Sequence, residues 1–432
     1  MNAPTPPAAS PPPSSISSPS SLPVSQRIPV LDIVRGFALL GILIMNMPGF
    51  SVSFYAEADG SHLWPGAIDQ AAEQLRDMLF SGKFNSMFSL LFGIGFTIQF
   101  ARMEQSDPQH ASTIYLRRLL LLGLIGVLHS CLLWNGDVLH IYAVLGLLLV
   151  FPLRRAQPRT IVLLMALCLL YPAVSGALRL WLMTPDITAM LVREAQAFEA
   201  SNNIAYGHGS FFAAAAEHTR EFVNDYSNVW HLWGNLGFYV QMALTMLLGL
   251  LAGRLQWPQR QAELLPQIRR IHVWTLVVGL ACGALFMLIF EAHRTPGPSP
   301  IKLLGGIAYW ISRLAMMVFY VLTIVRVAQH PAWARRLAPM AATGRMPLTN
   351  YLMQTVICTA LFYGWGFGLW GRVGPAAGLA LAVVIFFAIQ VPWSLWWLLR
   401  HDQGPLEKLW SRLTYGRLRT AAAPAVTPAA RP

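Results

Sequence analysis

The sequence predicts an all-α protein, a polytopic transmembrane helical bundle of about ten spans. Three observations carry this. Of 432 residues, 55% are hydrophobic and 12% are charged, about half the ~25% charge of a soluble domain. The apolar residues gather in runs of about 17–27 residues, long enough to cross ~30 Å of hydrocarbon at ~1.5 Å per residue. Basic residues, finally, collect in every second loop. Mean hydropathy is +0.49, and lipid is the solvent in which helices satisfying their own backbone hydrogen bonds are stable.

Residues 1–26, mostly Pro, Ser and Ala, have neither the basic start nor the apolar core of a cleavable signal peptide. They read as a disordered tail, and residues 420–432 as a second one. A single bundle fills 27–419. Spans are predicted at 30–53, 83–101, 114–134, 137–153, 159–182, 230–253, 271–291, 301–327, 346–369 and 374–399, the fourth being the shortest. The connection 183–229 reads either as an amphipathic helix on the membrane or bundle surface, or as a plain linker. Trp134, Trp230, Trp233 and Trp257 fall near span ends, where indoles anchor to head groups. Gly93/Gly95 and Gly123/Gly126 permit close helix packing.

The net charge is +12, from 31 Lys+Arg against 19 Asp+Glu. These basic residues flank apolar runs in ones and twos, with no stripe of interleaved aromatics, so the partner they imply is a lipid bilayer and not nucleic acid. The turns near Arg102/Arg117/Arg118, Arg154/Arg155/Arg159, Arg254/Arg260/Arg269/Arg270 and Arg326/Arg335/Arg336/Arg345 are basic. By contrast, residues 51–82 hold five acids and one Arg, and residues 183–229 six acids and two Arg. The positive-inside rule then puts both termini in the cytoplasm and 183–229 outside. Cys131, Cys168, Cys282 and Cys358 all lie in apolar runs, without a CxxC pair, and read as small buried hydrophobes and not as a disulfide framework or zinc site.

Ionisable groups inside spans are costly and mark candidate sites. In LDIVRGFALLGILIMNM, Asp32 and Arg35 are spaced to pair on one helix face, and Asn46 returns to nearly the same azimuth about 16 Å further along. This stripe is either a binding surface or a helix-fixing salt bridge plus one interhelical hydrogen bond. The third span repeats the arrangement, with Arg118 at its cytoplasmic end and His129 towards the other, followed by Asp137 and His140. A carboxylate that orients an imidazole makes a general base; the alternative is a packed, hydrogen-bonded histidine, and a metal site is disfavoured. Lys83 either snorkels to the interface or supplies charge to an outer pocket. Arg345, Asn350 and Gln354 open the ninth span, either as contacts for a phosphate-bearing ligand or as a helix-start network. Walker, HExxH, GxSxG and dinucleotide signatures are absent from the sequence, which disfavours an ATP-driven pump or a soluble-type hydrolase.

The stretches LDIVRGFALLGILIMN (31–46), KFNSMFSLLFGIGF (83–96), RRLLLLGLIGVLHSCLLWNGDVLHIYAVLGLL (117–148), GRMPLTNYLMQTVICTALFYGWGFGL (344–369) and GPLEKLWSRLTYG (404–416) resemble the YeiB-like family of bacterial inner-membrane proteins, domain of unknown function 418. The family's last motif looks like GPxEWLWRxLT; here Lys408 stands in place of the Trp and Ser411 in place of the Arg, so any substrate contact of that Arg falls to Arg412 or is lost. The opening DxxRG…N motif is similar to that of transmembrane acyltransferases such as heparan-α-glucosaminide N-acetyltransferase. That resemblance implies a cytosolic acyl donor, an acceptor across the membrane and a central histidine. On this expectation Arg35, Arg118 and Arg345 receive the phosphates of acyl-CoA, a substrate and not a resident cofactor. His129, oriented by Asp137, deprotonates the acceptor hydroxyl or amine on an envelope glycan or lipid, and Asn46 or Lys83 steadies the oxyanion. The rival expectation is a transporter of a small polar or amphiphilic solute, in which the same charged residues mark a substrate or proton pathway.

Overall fold

The computed structural model describes residues 28–261 and 263–416, all helix, turn or loop with no strand among the described residues. The two predicted tails, 1–26 and 420–432, lie outside the described residues. The first half of the chain forms α1 (Pro29–Ser51), α2 (Ala67–Leu79), α3 (Lys83–Ser106), α4 (Ala111–Leu132), α5 (Leu139–Leu145), α6 (Pro158–Leu182), α7 (Pro185–Ala205) and α8 (Phe211–Ser227). Then follow α9 (Val229–Arg254), α10 (Leu265–Ala292), α11 (Pro300–Ala328), α12 (Pro331–Arg336), α13 (Ala338–Gly344) and α14 (Pro347–Phe362). The chain closes with α15 (Pro375–Val384), α16 (Val391–Leu398) and α17 (Pro405–Tyr415). Proline opens many of these helices, where its missing N–H costs nothing.

Among the described residues, eight helical stretches are long and apolar enough to cross a membrane: α1, α2 with α3, α4, α6, α9, α10, α11, and α15 with α16. The other two predicted spans are short. Residues Leu139–Val150 form α5 and a π-helical turn, and α14 has 16 residues. Both are walled by protein, since α5 buries Leu139 to Ala143 and α14 buries Asn350, Gln354, Thr355 and Thr359. A short or irregular segment is tolerated at membrane depth when protein covers it.

The outer helices look like lipid-facing ones. Within α6 only Ile161 and Ser175 are buried, while Leu163, Leu167, Leu170 and Trp181 are exposed. The central helix α1 packs against α3, α11, α13, α14 and α15 and keeps Ala38, Leu39 and Leu43 out of contact with solvent. Helices α3 and α9 meet backbone to backbone: a Cβ on Gly249 would lie 2.1 Å from the Leu90 oxygen, and one on Gly93 2.2 Å from the Met246 oxygen. Gly95, in contrast, faces open space and borders a cavity, so it packs against nothing.

Residues 183–229 are not a plain linker. Thr184 and Ser210 cap α7 and α8 by accepting from the backbone N–H of Ile187 and Ala213, and α8 packs on α4 and α9 as a lid over the bundle. Trp134 is likewise no interfacial anchor. It is 1% exposed, stacks on Phe50 at 4.2 Å and donates to the Gly49 oxygen at 3.0 Å, pinning the α4–α5 turn to the end of α1. Cys358 is buried and the other three cysteines are half-buried; all four are free.

Candidate functional site

The α4–α5 turn delivers Asp137 between two histidines. Gly126 makes this possible, because a Cβ there would sit 2.2 Å from the His140 nitrogen and 2.9 Å from Asp137 Oδ2. The Asp137 carboxylate faces His129 Nδ1 at 2.8 Å and His140 Nδ1 at 2.9 Å, with the His140 backbone N–H at 3.2 Å. An ionised carboxylate only accepts, so both imidazoles present Nδ1–H to it and leave Nε2 as the lone-pair nitrogen. His129 Nε2 then accepts from Thr355 Oγ1 at 3.0 Å, and His140 Nε2 from Tyr226 OH at 2.5 Å. Tyr239 OH in turn donates to Tyr226 OH at 3.2 Å. Every proton in this chain has one direction, and His129 is left with a basic nitrogen beside a hydroxyl. The side chains of His129 and Asp137 are 1% and 0% exposed, so a carboxylate in this place is stable only through those donors.

Below this cluster lies a cavity of about 320 Å³, bordered by Asp32, Arg35, Arg102, Arg118, Arg345 and Tyr351. It thus brings together arginines from α1, α3, α4 and the α13–α14 junction. Asp32 and Arg35 form the expected pair at 2.6 Å, and Arg35 also donates to the Gly344 oxygen at 3.1 Å. The Arg118 guanidinium stacks 3.6 Å from the Trp410 ring, and Arg345 donates to the Asp402 oxygen at 3.3 Å while its Nε is buried without an acceptor. At the head of the cavity, Tyr351 OH is 3.5 Å from Asp137 Oδ1 and its ring 5.5 Å from that of His129. Tyr351 is therefore the residue through which the arginine cavity and the histidine cluster meet.

The final motif closes the cavity from α17. Glu407 accepts from the Leu348 and Thr349 N–H groups at 2.7 and 3.0 Å and from Thr349 Oγ1 at 2.5 Å, capping α14. Burial raises its carboxyl above the usual range, against the pull of the Thr349 hydrogen bonds. Ser411 borders the cavity and Arg412 does not, so Arg412 does not take over the place of the family's Arg.

Four predicted residues sit elsewhere. Asn350 donates to the Thr343 oxygen and to Ser394 Oγ, at 3.1 and 3.0 Å. Gln354 donates to the Leu39 oxygen and Gln390 Oε1, at 3.1 and 3.0 Å. Both are buried in a network that ties α14 to α1 and α16, away from the cavity wall. Neither Asn46 nor Lys83 bonds to His129 or Asp137. Asn46 is half-buried in α1 with no side-chain hydrogen bond among the described residues. Lys83 does not snorkel: it is 1% exposed and donates to the Asp77 oxygen at 2.7 Å.

Sequence reasoning missed Thr355, Tyr351 and Tyr226, because hydroxyl residues on apolar helices carry no motif. The four-residue spacing of Tyr351, Thr355 and Thr359 along one face of α14 was the available signal. It also missed a second buried cluster in the lid. There the Tyr206 hydroxyl lies 2.8 Å from both His218 Nδ1 and Glu221 Oε2, and Tyr363 OH lies 3.2 Å from His218 Nε2. Burial lowers the proton affinity of His218, with Glu221 opposing it.

An arginine-lined cavity leading to an enclosed Asp–His pair, inside a bundle of apolar helices, defines a multi-pass membrane protein with a polar interior site. The chain belongs to the DUF418 family, described as "Protein of unknown function (DUF418)", whose family model matches residues 252–417. It is 30% identical to "Uncharacterized protein YxaH" of Bacillus subtilis (strain 168) over 401 residues, 90% of this chain and 95% of that protein. It is 30% identical to "Uncharacterized protein YeiB" of Escherichia coli (strain K12) over 438 residues, 94% of this chain and 100% of that protein. An "Uncharacterized 39.9 kDa protein in amylase 3'region" of Bacillus acidopullulyticus is 25% identical over 400 residues, 91% of this chain and 95% of that protein.

Proposed function

We propose that the protein is an acyltransferase of the bacterial inner membrane, with both termini cytoplasmic, that moves an acyl group from a cytosolic acyl-CoA to an envelope glycan or lipid. The observation that carries this reading is the contact of Tyr351, in the arginine cavity, with the Asp137 that orients His129. Arg35, Arg118 and Arg345 hold the donor's phosphates, and the pantetheine arm runs up the cavity towards Tyr351. The cavity sits at the low end of the ~300–1,000 Å³ of ligand pockets, which suits the arm with the nucleotide left at the mouth.

In the chemical step the acceptor hydroxyl or amine takes the place of Thr355 Oγ1 at His129 Nε2. Its proton passes to Nε2 as its oxygen or nitrogen attacks the thioester carbonyl, and the Asp137 carboxylate stabilises the imidazolium. The Tyr351 hydroxyl donates to the oxyanion, the part first expected of Asn46 or Lys83. Collapse expels the CoA thiolate, which takes the proton back from His129. Loop charge supports the orientation, and the family resemblance supports the inner membrane.

Native mass spectrometry of the purified protein tests the donor site: acyl-CoA binds wild type and is weakened at least tenfold in Arg118→Gln. A transporter reading has one observation in its favour. A second cavity, of about 800 Å³, opens at the other end of the bundle, so each end of the bundle carries a cavity, as alternating access would use. Solute flux through proteoliposomes in the absence of acyl transfer decides for it.

A further inference from the structure

That second cavity has a cation for its floor. Arg313, in the middle of α11, borders it and is 7% exposed. Among the described residues its guanidinium makes no hydrogen bond and no ion pair, and Nε is buried without an acceptor. Its neighbours are the rings of Tyr309 at 5.1 Å and Phe238 at 6.0 Å. The buried Lys83 ammonium lies 5.3 Å from the same Tyr309 ring. The carboxylate closest in sequence, Asp77, gives Lys83 only its main-chain oxygen, because its side chain is held by Arg76 at 2.8 Å. The acids around the cavity are paired too: Glu73 with Arg76, and Glu57 and Glu291 with Arg294. Two buried cations therefore share the Tyr309 ring with no anion assigned to them among the described residues, an arrangement that is costly as it stands. Space is kept for the guanidinium by Gly82, which has φ +73° and where a Cβ would lie 2.0 Å from Arg313 Nε.

We infer that Arg313, backed by Lys83, binds the anionic group, phosphate or carboxylate, of a ligand entering this cavity. A guanidinium presents a planar fork of donors matched to two oxygens of such a group. The cavity above it carries Tyr171, Phe286 and Trp310, which suit the apolar part of an amphiphile, while Lys302 adds a further positive charge to its lining. The inference is independent of acyl transfer: the cavity lies among α2, α6, α9, α10 and α11, and shares no residue with the cavity of the four arginines. The same chemistry has two sources, an anionic lipid or a free anion.

The test uses the full chain in neutral detergent with three probes: dioctanoyl phosphatidylglycerol, uncharged dioctanoylglycerol, and inorganic phosphate. Phosphatidylglycerol should raise the thermal midpoint of wild type and form a complex visible in the native mass spectrum, whereas dioctanoylglycerol should do neither. Arg313→Met should weaken that binding at least tenfold and raise the ligand-free midpoint, since an uncompensated charge is gone; a merely structural arginine would lower it. Should Arg313→Met fail to fold, Lys83→Met carries the comparison, with weakened binding expected. A matching shift with inorganic phosphate alone supports the site and assigns it to a free anion. No shift with either anion, equal binding of the charged and uncharged lipids, or undiminished binding in the folded variants overturns the inference.

Discussion

Replacing Asp137 by Asn removes a charge while keeping the side chain's size, and the structure sets the consequence. The carboxylate receives Nδ1–H from His129 at 2.8 Å and from His140 at 2.9 Å. An amide offers one oxygen and one NH2, so one imidazole must turn its lone pair inward and push its proton to Nε2, against Thr355 or Tyr226. Hydrogen bonds to a charged group are worth ~1.5–3 kcal/mol each against ~0.5–1.5 for neutral ones, so two weakened bonds cost about 2–3 kcal/mol. Urea unfolding in a neutral micelle, followed by tryptophan emission, measures this. Because His140 shares the carboxylate, His140→Asn combined with Asp137→Asn should cost clearly less than the two separate losses added together. A stability of Asp137→Asn within ~0.5 kcal/mol of wild type would refute the reasoning, since ordinary surface changes do no more than that.

The remaining predictions concern other parts of the molecule. Asp32→Asn and Arg35→Gln should each lower the thermal midpoint more than the double variant does, because each single change leaves one charge of the 2.6 Å pair uncompensated; equal midpoints in all three would dissolve the pair's role. His218 has a lower proton affinity folded than unfolded, so the unfolded chain binds more protons below its pKa of ~6.5. Stability should therefore be complete above about pH 6.5 and fall as pH drops, at up to ~1.4 kcal/mol per pH unit, and His218→Gln should flatten that slope; an unchanged slope locates the titration elsewhere. Single cysteines replacing Ala200 and Gln259 in a cysteine-free chain should label from outside and from inside intact cells respectively, and the reverse pattern would invert the topology.

The fold was legible because lipid imposes long apolar runs, and each of the ten runs corresponds to helix in the structure. The pair Asp32–Arg35 and the meeting of His129 with Asp137 were legible for a different reason. Both are local, set by a helical spacing or a short turn, and both lie where an ionisable group needs a partner. What the sequence concealed is long-range. Whether Asn350 and Gln354 face a cavity or a neighbouring helix depends on Ser394 and Gln390, some forty residues away. Thr355 comes from a helix more than two hundred residues beyond His129, and no spacing rule connects them. Trp134 misled because a tryptophan at a span end looks the same in sequence whether it faces head groups or, as here, Phe50 and Gly49.

The central claim is that His129 is a general base for acyl transfer. Purified wild type and His129→Ala, each given radiolabelled acetyl-CoA and an extract of envelope glycans and lipids, test it directly, with acetyl-CoA binding measured alongside. Wild type should transfer label and His129→Ala should lose ~10²–10⁴-fold in rate, the span typical of a general base, with donor binding retained. Transfer at the wild-type rate in His129→Ala would contradict the assignment of the base, and no transfer by wild type to any acceptor in the extract would contradict the acyltransferase reading itself.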